Sequence, residues 1–227
     1  MFILMLTERD INILRFINDF GYARSSILKE MFFTAGTLSG QKQMCHRRLK
    51  KMIDGGLIKR EREFRYGEML YQLNRAGANK LKEHGIKVFW VQSSVGWGKF
   101  IHNDYVQQVY LKFRKEGLRD FVSERRMRKM PVFFDHIPDL LVGASPENFL
   151  VIEVELELKR IEVLRNKLLL NLEINQGRKI LYLCGNKNIL KRVTGMAQEL
   201  DPSGKRFLSV KLDNFLDNPT QLINQLN

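Results

Sequence analysis

The sequence predicts a mixed α+β or α/β chain of two domains, on three observations. Residues 1–87 read as three helices, then a strand hairpin, then a closing helix. Residues 102–227 alternate helices and strands at spacings that favour a mixed sheet with helices on its faces. Between them, Val88–Gly98 is a short stretch carrying Trp90 and Trp97, and 88–101 is assigned as a linker.

The elements follow from local signals. Thr7 is an N-cap with Asp10 placed as its capping-box acid, and Ile13, Phe16, Ile17 and Phe20 form an apolar stripe that Gly21 ends. Ser25–Phe33 is a second short helix, a Gly/Thr/Ser loop follows, and Gln41–Ile53 is a third helix stopped by Gly55-Gly56. Leu57–Phe64 and Met69–Leu73 flank Arg65-Tyr66-Gly67-Glu68, a hairpin signal, and Asn74–His84 closes the domain as a helix. That order is the order of a winged helix-turn-helix.

The second half begins with a helix at His102–Lys115 and a basic stretch at Leu118–Met130. Two apolar strands follow within Pro131–Lys159, then a Leu-rich helix at Arg160–Asn175, a strand at Lys179–Cys184, a helix at Ile189–Leu200 and a strand at Phe207–Leu212.

Composition limits the partners. The 227 residues are 44% hydrophobic and 28% charged, which describes a folded chain, and the formal net charge is +13. Excess charge of that size points to a polyanion, nucleic acid first. No apolar run reaches the length of a membrane span, and the N-terminal MFILML is too short for a signal-peptide core. Cys45 and Cys184 lie far apart without metal-type spacing, so a reducing cytoplasm is expected and a membrane is not. The third helix and the hairpin concentrate cations: Lys42, Arg47, Arg48, Lys50, Lys51, Lys59, Arg60, Arg62 and Arg65. They are expected to meet the phosphates of double-stranded DNA, with Gln41, Gln43 or Arg47 reaching base edges. The plain alternative is a solvated basic helix face.

The acidic stretch carries the chemistry. Asp139 follows Pro138 on the first strand, and the second alternates Ile152, Val154, Leu156, Leu158 with Glu153, Glu155, Glu157, Lys159. Strand side chains alternate faces, so the three glutamates are expected on one face, where they would repel each other and raise a carboxylate pKa unless a cation sits among them. Mg²⁺ or Mn²⁺ held by Asp139, Glu153 and Glu155 would relieve that. A solvated edge strand is the other reading. Glu124 is a further candidate from a neighbouring element, and Lys159 or Lys167 could add positive charge. His102 and His136 are read as structural.

Asp139, a dozen or so residues, then Glu153-Val154-Glu155 resembles the PD-(D/E)xK nuclease superfamily. The resemblance implies that Asp139 and Glu153 hold metal. Glu155 stands where that motif has Lys, so Glu155→Lys would restore the usual pattern. The full length resembles the replication-relaxation family, which includes the MobC-type plasmid mobilisation relaxases. This rests on Leu6-Thr7-Glu8-Arg9-Asp10, Arg48-Leu49, Gly56-Leu57-Ile58, Tyr71-Gln72-Leu73 with Gly77, His102, Glu124-Arg125, Pro138-Asp139 and Glu153-x-Glu155. The family tends to have Asp at position 155. The resemblance implies a winged helix before a restriction-endonuclease-like domain, and a metal-dependent endonuclease that nicks DNA at a transfer or replication origin beside accessory mobilisation proteins. The alternative is a DNA-binding accessory protein or transcription regulator without catalysis.

Overall fold

The computed structural model describes residues 5–62, 69–89, 97–130, 136–143, 149–174 and 177–226. The chain is mixed α and β, with two sheets, and divides into two compact units, Met1–Ile101 and His102–Asn227. Among the described residues no helix is long and apolar enough to cross a membrane.

In the first unit, α1 (Glu8–Phe20) starts at Thr7 because the capping box closes in both directions. Gly21 ends it at φ 85°, a left-handed geometry that glycine adopts without Cβ strain. β1 (Ala23–Arg24), α2 (Ser25–Phe32) and α3 (Leu38–Asp54) follow. α3 begins earlier than the hydrophobic pattern indicates, because the Thr37 hydroxyl caps it by accepting from the Gly40 N–H at 3.2 Å. β2 (Ile58–Arg62) and β3 (Met69–Leu73) pair antiparallel, with Ile58 opposite Leu73, and the sheet order is β1-β3-β2. The hairpin turn, including Arg65, lies outside the described residues. α4 (Arg75–Glu83) closes the unit. Its Gly77 is required by packing, since a Cβ there would stand 2.2 Å from the Leu57 carbonyl oxygen. Ile13, Leu14, Ile17, Leu28, Leu49, Met52, Ile58 and Leu81 are all fully or nearly fully buried and form the core.

The expected linker is only partly a connector. Phe89 is buried, its N–H donates to Asn18 Oδ1 at 2.9 Å, and Asn18 Nδ2 donates to the Lys87 carbonyl at 3.1 Å. Two hydrogen bonds from one α1 side chain thus tie down the stretch after α4. The next helix, α5 (Trp97–Lys115), starts before His102 and runs across the division between the units. Trp90 lies outside the described residues.

In the second unit the order continues with β4 (Asp120–Ser123), α6 (Glu124–Met127), β5 (Leu140–Gly143), β6 (Leu150–Glu155), α7 (Ile161–Ile174), β7 (Ile180–Cys184), α8 (Lys187–Leu200), β8 (Phe207–Lys211), α9 (Leu212–Asp217) and α10 (Pro219–Leu226). The five-stranded sheet runs β4-β5-β6-β7-β8. The first three strands are antiparallel and β6, β7 and β8 are parallel. β6 is therefore a central strand, and every residue of β5, β6 and β7 is buried, as a sheet covered on both faces requires. Val151, Tyr182, Cys184 and Ile180 pack with Leu164 and Leu168 of α7 and with Ile189, Val193 and Met196 of α8.

Three sequence expectations are corrected here. The basic stretch Leu118–Met130 contains β4, whose strand character comes from pairing with β5 rather than from its own alternation. The acidic alternation does not persist to Lys159: β6 ends at Glu155, Glu157 is exposed and Leu158 is 50% exposed, so only two glutamates share the sheet face. Two further helices, α9 and α10, follow the last strand.

Candidate functional site

β5 and β6 pair with Leu140 opposite Ile152. One step further along that register sets Asp139 opposite Glu153. β6 and β7 pair in parallel with Glu153 beside Tyr182 and Glu155 beside Cys184. Glu153 and Glu155 therefore lie on the face covered by α7. α7 turns the stripe Leu164, Lys167, Leu168, Asn171 toward the sheet, and two members of that stripe are polar.

Glu153 is fully buried, with Oε1 hydrogen-bonded and Oε2 ion-paired but without a hydrogen bond. Its Oε1 accepts from His136 Nε2 at 2.6 Å and from Asn171 Nδ2 at 2.8 Å, while Oε2 stands 2.9 Å from Lys167 Nζ. Asn171 Nδ2 also donates to the Tyr182 hydroxyl at 2.9 Å. Glu155 Oε2 meets Lys159 Nζ at 2.6 Å and Lys167 Nζ at 3.4 Å. Asp139 Oδ2 accepts from the Val154 N–H at 2.8 Å. His102 Nε2 faces both the Val154 carbonyl at 3.0 Å and Asp139 Oδ2 at 3.2 Å. Lys167 also lies over the Tyr182 ring, 5.7 Å from its centroid.

The electrostatics reverse the expectation of self-repulsion. Burial pushes the Glu153 carboxyl up, but the Lys167 ammonium and the His136 contact outweigh it and hold the group well below the ordinary carboxylate range. Burial favours neutral Lys167, yet Glu153 first, then Asp139, Tyr182 and Glu155, hold it well above its ordinary value. Burial lowers His102, while its hydrogen bond to Asp139 and that carboxylate's charge raise it to about 9. Burial and the Glu153 charge push the Tyr182 phenol well up, so it is a neutral hydroxyl. A lone carboxylate row would repel itself; here protein cations are interleaved with the acids.

The sequence-predicted residues thus divide. Asp139, Glu153, Glu155, Lys159 and Lys167 are brought together. Among the described residues Glu124 is not a partner of that cluster: it begins α6 and pairs with Arg128 one turn on. His102 and His136, read from sequence as structural, both touch cluster carboxylates. Asn171 and Tyr182 escaped the sequence reading, although a Lys and an Asn on the buried stripe of an otherwise leucine-rich helix mark the place.

A divalent ion is tested by the donor set. Among the described residues no group of three or more His, Cys, Asp and Glu side chains is arranged to hold a metal ion. Glu153 Oε1 is committed to protein donors, while its buried Oε2 has the Lys167 ammonium as ion-pair partner and no hydrogen bond. Asp139 and Glu155 each use only one carboxylate oxygen for the contacts above. Mg²⁺ accepts one or two carboxylates and fills its octahedron with water and phosphate oxygens. Asp139 and Glu155 would each have an oxygen for such an ion outside those contacts, and Glu153 would add Oε2 by displacing Lys167.

The basic residues of the first unit also divide. On α3, Lys42, Gln43, His46, Arg47, Lys50 and Lys51 are exposed, as is Arg60 on β2. Lys50 pairs with Asp54 at 2.9 Å and Arg47 Nη2 donates to Gln43 Oε1 at 3.4 Å. Gln41 is spent on the carbonyls of Thr34 and Gly36, at 3.0 and 3.1 Å. Arg48 is turned inward: Nε donates to Asp10 Oδ1 at 2.6 Å, and Nη2 meets Asp10 Oδ2 and the Met5 carbonyl. Its charge is committed to a buried carboxylate, which removes it from the set offered to phosphate. The side chain of Arg62 lies outside what the structure describes, as does Arg65.

Compared with known proteins, the chain matches no family model and no curated protein.

Proposed function

We propose that the chain is a metal-dependent DNA endonuclease, with a winged helix-turn-helix that docks on double-stranded DNA and a restriction-endonuclease-like domain that cuts one strand. The observation that carries this reading is the convergence of Asp139, Glu153 and Glu155 with Lys159 and Lys167 at one end of a mixed sheet. A relaxase acting at a plasmid transfer or replication origin in the cytoplasm, beside accessory mobilisation proteins, is the biological setting in which both parts are used. The exposed cations Arg47, Lys50, Lys51 and Arg60 are the phosphate contacts of the first unit.

In this mechanism Asp139 and Glu155 would hold Mg²⁺ or Mn²⁺, which would supply Lewis acidity and lower the pKa of a bound water. Glu153, kept ionised by Lys167 and His136, fixes the Lys167 ammonium against Glu155. Lys159 is the more exposed ammonium of the pair, its side chain 35% accessible against 14% for Lys167. It is therefore the one placed to turn toward a scissile phosphate and offset the charge that builds there. His102 orients Asp139 and the Val154 carbonyl from α5.

The second reading is a DNA-binding accessory protein or regulator without catalysis. Its support is that Glu153 already meets three protein groups, His136, Asn171 and Lys167, which offset the charge of the cluster from within the chain. A nicking assay on supercoiled plasmid with Mg²⁺, with Mn²⁺ and with chelator separates the two. Metal-dependent relaxation by wild type, lost in Asp139→Asn, supports the nuclease. DNA binding without nicking under any metal supports the accessory protein.

A further inference from the structure

We propose that the same end of the five-stranded sheet carries a track for a single DNA strand, running from the α6 side to the α8 side across the carboxylate cluster. This rests on the nuclease reading above and names the residues that would hold its substrate.

The topology sets the track. β6, β7 and β8 are parallel, so Glu155, Cys184 and Lys211 finish at one end of the sheet. β5 runs the other way, so Leu140, next to Asp139, starts at that same end, opposite Ile152. β4 reverses again, and Ser123, opposite Leu140, finishes there too. α6 therefore leaves the sheet beside the cluster on one side, and α8 starts beside it on the other.

Cations stand on both flanks. After α6 come exposed Arg128, its C-cap, and exposed Lys129. Beyond β6 comes exposed Arg160, and α8 presents Lys187 and Lys191 one turn apart on an exposed face. Lys129, Arg160, Lys187 and Lys191 form no ion pair among the described residues, whereas Arg128 already has Glu124. The α8 flank is tied to the cluster strand by two contacts: Gly185 N–H donates to the Glu155 carbonyl at 2.8 Å, and Arg192 Nη1 to the Lys159 carbonyl at 2.9 Å. Gly185 allows that approach, since a Cβ there would lie 3.3 Å from Leu156 Cα. Exposed Glu157 and Glu162 interrupt the cations on the α7 side, which directs the path toward α8.

The dimensions suit one strand. Strands lie about 4.8 Å apart, so the four steps from β4 to β8 cover about 19 Å. That span reaches across a few phosphates of one strand. Positive charge at both ends and carboxylates at the middle place the scissile bond between the flanking phosphate contacts.

The test uses the full chain and a single-stranded DNA oligonucleotide of about a dozen nucleotides, with affinity measured by anisotropy across a salt series in EDTA, so no cleavage is needed. Each phosphate contact on a single strand contributes about 0.7 to the slope of log K against log salt. The variant Lys129→Ala/Arg160→Ala/Lys187→Ala should flatten the slope by about 2. Lys179→Ala/Lys205→Ala, at the opposite end of the sheet, should leave it near wild type. Thermal melts check that each variant stays folded; the changes are all at exposed positions. An unchanged slope in the triple variant, or equal flattening by the opposite-end pair, overturns the track. If wild type binds duplex but not single strand, the track is also overturned while the first unit's role stands. If wild type binds neither, the nuclease reading falls with it.

Discussion

Lys167 Nζ lies 2.9 Å from Glu153 Oε2 and 3.4 Å from Glu155 Oε2, so one buried ammonium from α7 holds two carboxylates of β6. Removing it should strand Glu153 in the core. Lys167→Met is expected to destabilise the second unit by about 3–5 kcal/mol, the usual cost of breaking a buried pair from one side. Adding Glu153→Gln should recover part of that loss, because the orphaned charge is then gone. The linkage sign follows from the depressed Glu153 group: its stabilisation is present above the unfolded carboxylate range near 4.5 and is lost as pH falls toward its folded value. Urea melts of wild type and the two variants between pH 3 and 7 check this. A Lys167→Met protein with wild-type stability would contradict it.

His102 makes the opposite pH dependence. Its folded pKa is raised from 6.5 to about 9 by Asp139, so its contribution is whole below pH 6.5 and disappears as pH rises through about 9. His102→Gln should be less stable than wild type at pH 6 and nearly equal above pH 9.5, measured without added metal. An imidazole signal titrating near 6.5 in an NMR pH series would show that Asp139 does not hold it.

In the first unit, Arg47 and Arg48 are adjacent in sequence but opposite in use. Arg47→Ala/Lys51→Ala should flatten the salt dependence of duplex binding by about 2, at about 0.9 per phosphate, with little change in melting. Arg48→Ala should instead lower stability by about 2–3 kcal/mol, since buried Asp10 loses its counter-charge, and leave the slope nearly unaltered. A salt series on each protein, with a thermal melt, distinguishes a contact from a strut.

Much of the architecture is legible in the sequence because local signals agree with tertiary ones. The Thr7–Asp10 box, Gly21 and the β2–β3 alternation each act within a few residues. β4 is not legible: Asp120-Phe121-Val122-Ser123 is a strand by virtue of its pairing with β5, and its flanks are basic. In the candidate site, Asp139, Glu153 and Glu155 stand out as acids among apolar residues, but their counter-charges come from distant elements. His136 precedes β5, His102 lies on α5, and Lys167 and Asn171 on α7. The expected self-repulsion failed because a strand pattern shows the charges on one element and not the cations folded over it.

Gly77 gives a packing prediction. A Cβ at that position would sit 2.2 Å from Leu57 O and 3.1 Å from Leu73 Cδ1, and the first of these is backbone. Gly77→Ala therefore forces α4 away from the β2–β3 sheet despite the better helix propensity of Ala, at a cost of about 1–3 kcal/mol or more. An unchanged melting temperature would show that α4 shifts freely.

Glu155→Lys tests the cluster most directly, because the motif and the structure give opposite answers. Restoring the Lys of the PD-(D/E)xK pattern would be expected from sequence to preserve activity. In the folded chain, however, Glu155 is 3% exposed and already faces Lys159 at 2.6 Å and Lys167 at 3.4 Å. A lysine there places a third ammonium against two, with the counter-charge removed. The variant should melt well below wild type and should not nick. Glu155→Gln keeps the shape and leaves Lys167 its stronger partner Glu153, so it should fold with a smaller loss, yet lose metal-dependent nicking if Glu155 is a ligand. Adding Lys159→Met to Glu155→Lys removes one of the three ammoniums and should restore part of the stability. Thermal melts with and without Mn²⁺ on all three proteins decide the matter. A stable, active Glu155→Lys enzyme would show that Lys159 and Lys167 leave the carboxylates when the site is at work.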